Sequence, residues 1–191
     1  QLTNTMSSGI ILEKEVLEDG IKTVFGNQVY EVKLKAKVGK FEGESDPFFT
    51  LKADLNREHY QDGDEMIINI TSSKNCFVYV FNILSDETVS TLLPNQYLED
   101  NFLAKGQSLR VPPEKGKITK FRVDLPEGKT QATELIMVLG IKAGEDTEKK
   151  DFDLNLGEYE MAMKELMEFI LGFPRNRVEQ VNLPYVIKNK E

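Results

Sequence analysis

The stretch from Cys76 to Asn95 constrains the fold more than any other part of the chain. From Cys76 to Leu84 nearly every residue is β-branched, aromatic or aliphatic. Ser85, Asp86 and Glu87 then make a polar connection of hairpin length, and a second run closes on Leu92, Leu93, Pro94 and Asn95. β-Branched and aromatic side chains suit a pleated surface, so the stretch reads as two neighbouring strands. The first run lacks clean alternation, which predicts a strand covered on both faces, as in the middle of a sandwich. A buried helix of that length would show the same continuity, and the residue types favour the strand. Pro94 cannot donate to a ladder, so the second strand should end near Leu93, with a loop running on through Tyr97, Glu99 and Asp100.

Short apolar runs with turn residues between them recur on both sides of this hairpin. Ile10 to Val16, Ile21 to Phe25 and Val29 to Val38, punctuated by Asp19-Gly20 and Gly26-Asn27, predict an N-terminal β-meander of two or three strands. In the last of these, Tyr30, Val32, Leu34, Ala36 and Val38 alternate with Glu31, Lys33, Lys35 and Lys37. That pattern predicts a half-buried antiparallel strand with a solvated lysine face. Gly39 to Pro47 reads as a linker, dividing the chain into a meander over 1–46, readable as the end of a larger domain, and a second unit over 47–191. Further strands are predicted at Phe48 to Leu55, Glu65 to Thr71, Ser108 to Val111, Ile118 to Leu125 and Thr133 to Ala143, with polar turn residues at Tyr60 to Asp64. Pro and Gly between short strands point to an all-β sandwich and not to a parallel α/β sheet.

The period changes near the C-terminus. Tyr159, Met163, Leu166, Met167, Ile170 and Leu171 recur at helical spacing, predicting one amphipathic helix over about 156–171, ended by Gly172 and Pro174. Its methionines are read as core packing in preference to a partner-binding face. Val178 to Lys188, with Pro184 inside it, is predicted to return to the sheet as an edge strand.

The 191 residues and 40% hydrophobic content suffice for an ordinary core. A net charge of -8 repels phosphate backbones and argues against nucleic acid as a partner. No apolar run has the length of a membrane-spanning helix. Gln1 is not a translation start, so the expectation is a removed signal peptide or a start within a longer protein.

Residues for chemistry are few. His59 is the single histidine and Cys76 the single cysteine, so any nucleophilic triad with histidine must use His59, in a polar turn-like stretch. Cys76, at the head of an apolar strand, reads as a small buried hydrophobe. Zinc lacks ligands, and the acidic groups at Asp62 to Glu65, Asp86-Glu87, Glu99-Asp100 and Glu145-Asp146 lack the spacing of a twelve-residue calcium loop. They read as solvated turns, so no metal and no cofactor is expected. No glycine-rich phosphate loop is present.

The order Tyr60, Gly63-Asp64, Ile68 to Ser72, Cys76 to Phe81, Leu92 to Asn95, Gly106, Arg110 to Pro112, Phe121 to Val123 and Glu134 to Ile136 resembles a bacterial domain of unknown function, family 4384, over about 48–144. The resemblance implies an immunoglobulin-like antiparallel β-sandwich, found beside kinase-like or caspase-like domains or in exported lipoprotein-like chains. It brings no catalytic residues. Ser8 to Ile10 and Tyr30 to Val38 are similar to the end of a domain of outer-membrane and flagellar-assembly lipoproteins. That likeness implies export to the periplasm or outer membrane.

The functional expectation is a non-catalytic interaction or structural module of the bacterial envelope, presenting loops or an edge strand to a protein or glycan. The loop from Leu92 to Leu103, with Asn95, Tyr97 and Phe102, is the expected binding surface. The alternative is a hydrolase using loop carboxylates, for which no spacing selects a pair.

Overall fold

A computed structural model of the chain describes residues 9–144 and 160–190. Its centre is the pair of strands legible at Cys76 to Leu93. β7 (Cys76–Ile83) and β8 (Thr88–Leu93) are antiparallel, and β7 also pairs with β12 (Gln131–Lys142). β12 pairs in turn with β14 (Val178–Lys188), and β8 with the short β13 (Glu160–Ala162). A three-residue strand, β4 (His59–Gln61), joins β14 in parallel, and β9 (Phe102–Leu103) adds to β7.

The continuous apolar runs of β7 and β12 follow from burial on both faces. On one face Cys76, Val78 and Val80 of β7 lie with Ile136 and Val138 of β12 in a cluster shared with a second sheet. That sheet has the order β10 (Ser108–Val111), β6 (Ile68–Ser72), β3 (Leu51–Leu55) and contributes Ile68, Ile70 and Val111. On the other face Phe77, Tyr79 and Phe81 meet Met137, Leu139 and Ile141 beneath α1 (Met163–Leu171), which buries Leu166, Met167 and Ile170. The fold is therefore a mainly β, antiparallel sandwich with one α-helix among the described residues, the class expected from the sequence. β5 (Glu65–Met66) and β11 (Phe121–Arg122) form a small sheet beside it.

Several boundaries differ from the sequence reading. Where the helix was expected to begin, residues 160–162 are strand, because they complete the edge beside β8; residues 156–159, including Tyr159, lie outside the described residues. Gly172 does end the helix, its amide reaching the carbonyls of Glu168 and Phe169. The turn expected at Tyr60 begins later, since His59–Gln61 pairs with β14. The strand expected over Ile118 to Leu125 is reduced to two residues. Pro184 sits opposite Leu135, and β14 has a neighbour on its outer side only from Val186 onward, so most of it is an edge, where a missing N–H costs nothing.

The N-terminal residues form one long two-stranded ribbon, β1 (Gly9–Val24) and β2 (Asn27–Lys40). Asp19-Gly20, read as a turn, lies inside β1; two bulges, at Ile11/Glu13 and Val16/Glu18, absorb the irregularity. The reversal is Phe25-Gly26, with φ of 48° and 84°, the two left-handed residues of a tight hairpin turn. Gly39 to Pro47 is not a free linker. Ile10 and Phe41 are buried in the cluster under α1, the Arg175 guanidinium lies 5.7 Å from the Phe41 ring centre, and Lys142 pairs with Asp46 at 2.6 Å. A Cβ on Gly39 would lie 2.2 Å from Leu171 Cδ1, so glycine permits this close approach to the helix.

Candidate functional site

Two features stand apart from the packed core: the face of the ribbon and a cleft at one end of the sandwich. Strand pairing places Ile21 opposite Tyr30, Asp19 opposite Val32, Val16 opposite Leu34 and Ile11 opposite Val38, so these side chains share one face. The reverse face carries Glu18 opposite Lys33, Glu15 opposite Lys35 and Glu13 opposite Lys37, joined at 3.6, 3.7 and 3.6 Å. Lys164 of α1 donates to Glu13 at 2.9 Å, and this hydrogen bond holds the Glu13 carboxyl below its usual range. Lys14 pairs with Glu87 of the β7–β8 loop. The expected half-burial of β2 is therefore corrected. Its lysines are solvated, but the apolar face is open as well: Ile21 is 66%, Tyr30 63%, Val38 62% and Phe25, at the tip, 101% exposed. Alternation reports that one face is apolar, not that anything covers it.

The second feature is a cleft of about 970 Å³. One side is the sandwich face of β7, β8, β12 and β14, through Asn82, Leu92, Glu134, Ile136 and Tyr185; the other is the segment around β11, through Ile118, Phe121 and Leu125. That segment is held by the β4–β5 turn: Asp62 Oδ1 accepts the Leu125 amide at 2.8 Å, and the Val123 amide donates to the Asp64 carbonyl at 3.0 Å. Asp64 also accepts from the Gln61 amide and Arg57, both at 2.9 Å, so the acidic run at Asp62 to Glu65 serves the local backbone. Among the described residues no group of three or more His, Cys, Asp and Glu is placed to hold a metal.

At the base of the cleft Glu134 is only 4% exposed. Its Oε2 accepts from the Tyr185 hydroxyl at 2.6 Å and from Asn82 Nδ2 at 3.1 Å. Burial, with the Glu134 carboxylate beside it, pushes the Tyr185 hydroxyl far above the ordinary tyrosine range, so it remains a neutral donor. Tyr60 packs edge-on against its ring at 5.6 Å. No single segment of sequence signals this trio. The available sign was a glutamate at an inward position of a strand otherwise marked by Ala132, Ile136 and Val138.

The expected surface residues are placed as follows. Tyr97 and Phe102 are 48% and 43% exposed, with Phe102 edge-on to Phe77 at 5.6 Å. Asn95 is occupied within its own loop: its Oδ1 accepts the amides of Tyr97 and Leu98, both at 2.9 Å, and its Nδ2 donates to the Leu92 carbonyl at 2.8 Å. His59 is exposed on β4. Cys76 is fully buried, and burial raises its thiol, which suits a packing residue and not a nucleophile. Among the described residues no helix is long and apolar enough to cross a membrane.

The architecture defines a mainly β sandwich domain. Residues 59–136, from β4 into β12, match the model of the family described as Domain of unknown function (DUF4384). The match begins after the ribbon and gives no support to the lipoprotein likeness at residues 8–38. Neither the curated proteins nor the solved structures supply a match.

Proposed function

We propose that this chain is a non-catalytic interaction module of an exported bacterial envelope protein and that it binds a protein partner through the apolar face of the β1–β2 ribbon. The exposure of that face carries the reading. Among the described residues thirteen large apolar side chains are exposed; ten lie on the ribbon, six of them (Val16, Ile21, Tyr30, Val32, Leu34 and Val38) on this face, and three, Phe48, Tyr97 and Phe102, lie elsewhere. A two-stranded hairpin is marginal in water, and exposed ion pairs of the Glu–Lys kind each contribute at most about 1 kcal/mol. The ladder face needs no partner, because each glutamate already faces a lysine. The apolar face gains most from being covered.

Phe25 points the same way. A bulky residue at positive φ is unfavourable where asparagine or glycine would serve, and its ring contributes nothing to the core. Strain at a fully exposed aromatic is a motive for a contact role. The envelope setting draws on the two resemblances, the N-terminal likeness to envelope lipoproteins and the occurrence of family 4384 domains in exported lipoprotein-like chains.

The test is a photo-crosslinking residue placed at Leu34 or, as a control, at exposed Phe48, in the native host. A discrete protein adduct from position 34 and none from 48 is the expected outcome. Equal adducts, or none at 34, would remove the ribbon as the binding surface.

A second reading has one observation in its favour. The cleft joins carboxylates from separate elements, Asp86, Asp124 and Glu134, as a hydrolase using paired carboxylates would require. Turnover of aryl glycoside or ester substrates that disappears in Glu134→Gln would establish it; inactivity of the wild-type chain on both would leave the interaction reading alone.

A further inference from the structure

The base of the cleft holds a carboxylate that the protein itself does not balance. Glu134 lies on β12 with its partner Tyr185 directly across on β14, and both donors that reach it, Tyr185 and Asn82, go to the same oxygen, Oε2. Among the described residues Oε1 accepts no hydrogen bond, and no lysine, arginine or histidine forms an ion pair with Glu134. A carboxylate removed from water normally finds a cation or several donors, because each missing partner leaves its desolvation uncompensated. Here the walls on either side are apolar: Leu92 and Ile136 from the sheet, Ile118, Phe121 and Leu125 from the facing segment.

The rim does not supply the missing cation. Lys120 is engaged with Glu65, Lys129 donates to Ser85 Oγ at 2.9 Å, and Arg122 is exposed. Asp86 and Asp124 also line the opening, so three basic and three acidic side chains line the cleft as a whole and no long-range field selects an anion. Selection falls to the base, where Glu134 is nearly buried while Asp86 and Asp124 are exposed. The volume, about 970 Å³, lies within the range of small-molecule and side-chain pockets.

We propose that this cleft is a binding site for a cation carried on an apolar chain, an alkylammonium or guanidinium group whose N–H donors reach Glu134 Oε1 while its chain lies between Leu92, Ile136 and Leu125. The same chemistry belongs to a free amine and to a lysine or arginine side chain of a peptide. Tyr185 and Asn82 act as positioning residues: they hold Oε2 and leave Oε1 toward the opening. This site is separate from the ribbon, and its occupancy does not depend on the ribbon's partner.

The test is a titration of the full chain, methyl-labelled at Leu, Ile and Met, with four probes: hexylamine, hexanol as its neutral match, the blocked peptide acetyl-Val-Lys-Val-amide, and the same peptide with norleucine for lysine. Saturable shifts at Ile136, Leu92 and Leu125 are expected with a cationic probe, at least about tenfold tighter than with its neutral match, the scale of one charge-assisted hydrogen bond. Which cationic probe saturates first distinguishes a free amine from a peptide side chain. In Glu134→Gln that preference should vanish. Should that variant fail to fold, Asp86→Asn/Asp124→Asn removes the exposed carboxylates of the rim and keeps Glu134, and the cationic preference should persist. Equal binding of cationic and neutral probes, loss of the preference in Asp86→Asn/Asp124→Asn, or no shift with any probe would overturn the proposal.

Discussion

Tyr185 stands directly opposite Glu134 across the β12–β14 ladder, and its hydroxyl donates to the carboxylate at 2.6 Å with both side chains almost wholly buried. The bond ties an edge strand to a central one, and it has a consequence at alkaline pH.

Because the folded-state tyrosine titrates far above the unfolded value of about 10, the native protein keeps a proton that the unfolded chain gives up. This group's contribution is whole below about pH 10 and declines as pH rises further, by up to about 1.4 kcal/mol per pH unit. Urea unfolding between pH 9 and 11.5 should show a steeper fall for the wild type than for Tyr185→Phe. Parallel slopes would mean that Tyr185 ionises in the native state.

Met167, on the buried face of α1, is 1% exposed within the cluster that includes Tyr79, Phe81 and Leu139. Met167→Asp buries an unpaired carboxylate and removes apolar packing together, at a cost of more than about 3 kcal/mol. The melting temperature should fall sharply; an unchanged melt would mean that the helix does not pack on the sheet.

Asn95 satisfies two loop amides and one carbonyl with a single side chain. Asn95→Ala should lower stability by about 1–3 kcal/mol in denaturant unfolding, through polar groups left without partners. A value near zero would assign it no structural role and reopen it as a contact residue.

Phe25 occupies a left-handed position that asparagine tolerates better. Phe25→Asn should slow amide exchange along β1 and β2 several-fold, corresponding to about 0.5–1 kcal/mol of local stability. Faster exchange would show that the ring supports the ribbon.

The parts of this fold that were legible in sequence are those where composition and environment agree. β7 reads as a doubly covered strand because it is one, with α1 on one side and the second sheet on the other. The ribbon was legible as strands but not as an exposed element, since the alternation of Tyr30 to Val38 is the same whether the apolar face is covered or bare. Asp19-Gly20 has the composition of a turn but pairs in register with Val32 and Glu31, because the reversal is made at Phe25-Gly26 instead. Glu134 is legible only as a residue of the resemblance; its pairing with Tyr185 is not, because that partnership spans 51 residues and exists only once β14 has paired with β12. The match over residues 59–136 covers the residues that carried the resemblance from Tyr60 to Ile136.

The central claim is that the ribbon's apolar face is free in the chain alone and covered in its complex. The most direct measurement is the affinity of the crosslinked partner for Val32→Asp/Leu34→Asp beside wild type, with melting recorded on the same samples. The account predicts binding weakened at least about a hundredfold and a melting temperature moved by no more than about 2 °C, since neither side chain contributes to the core. Undiminished binding, or a melt that collapses with the substitution, would contradict it.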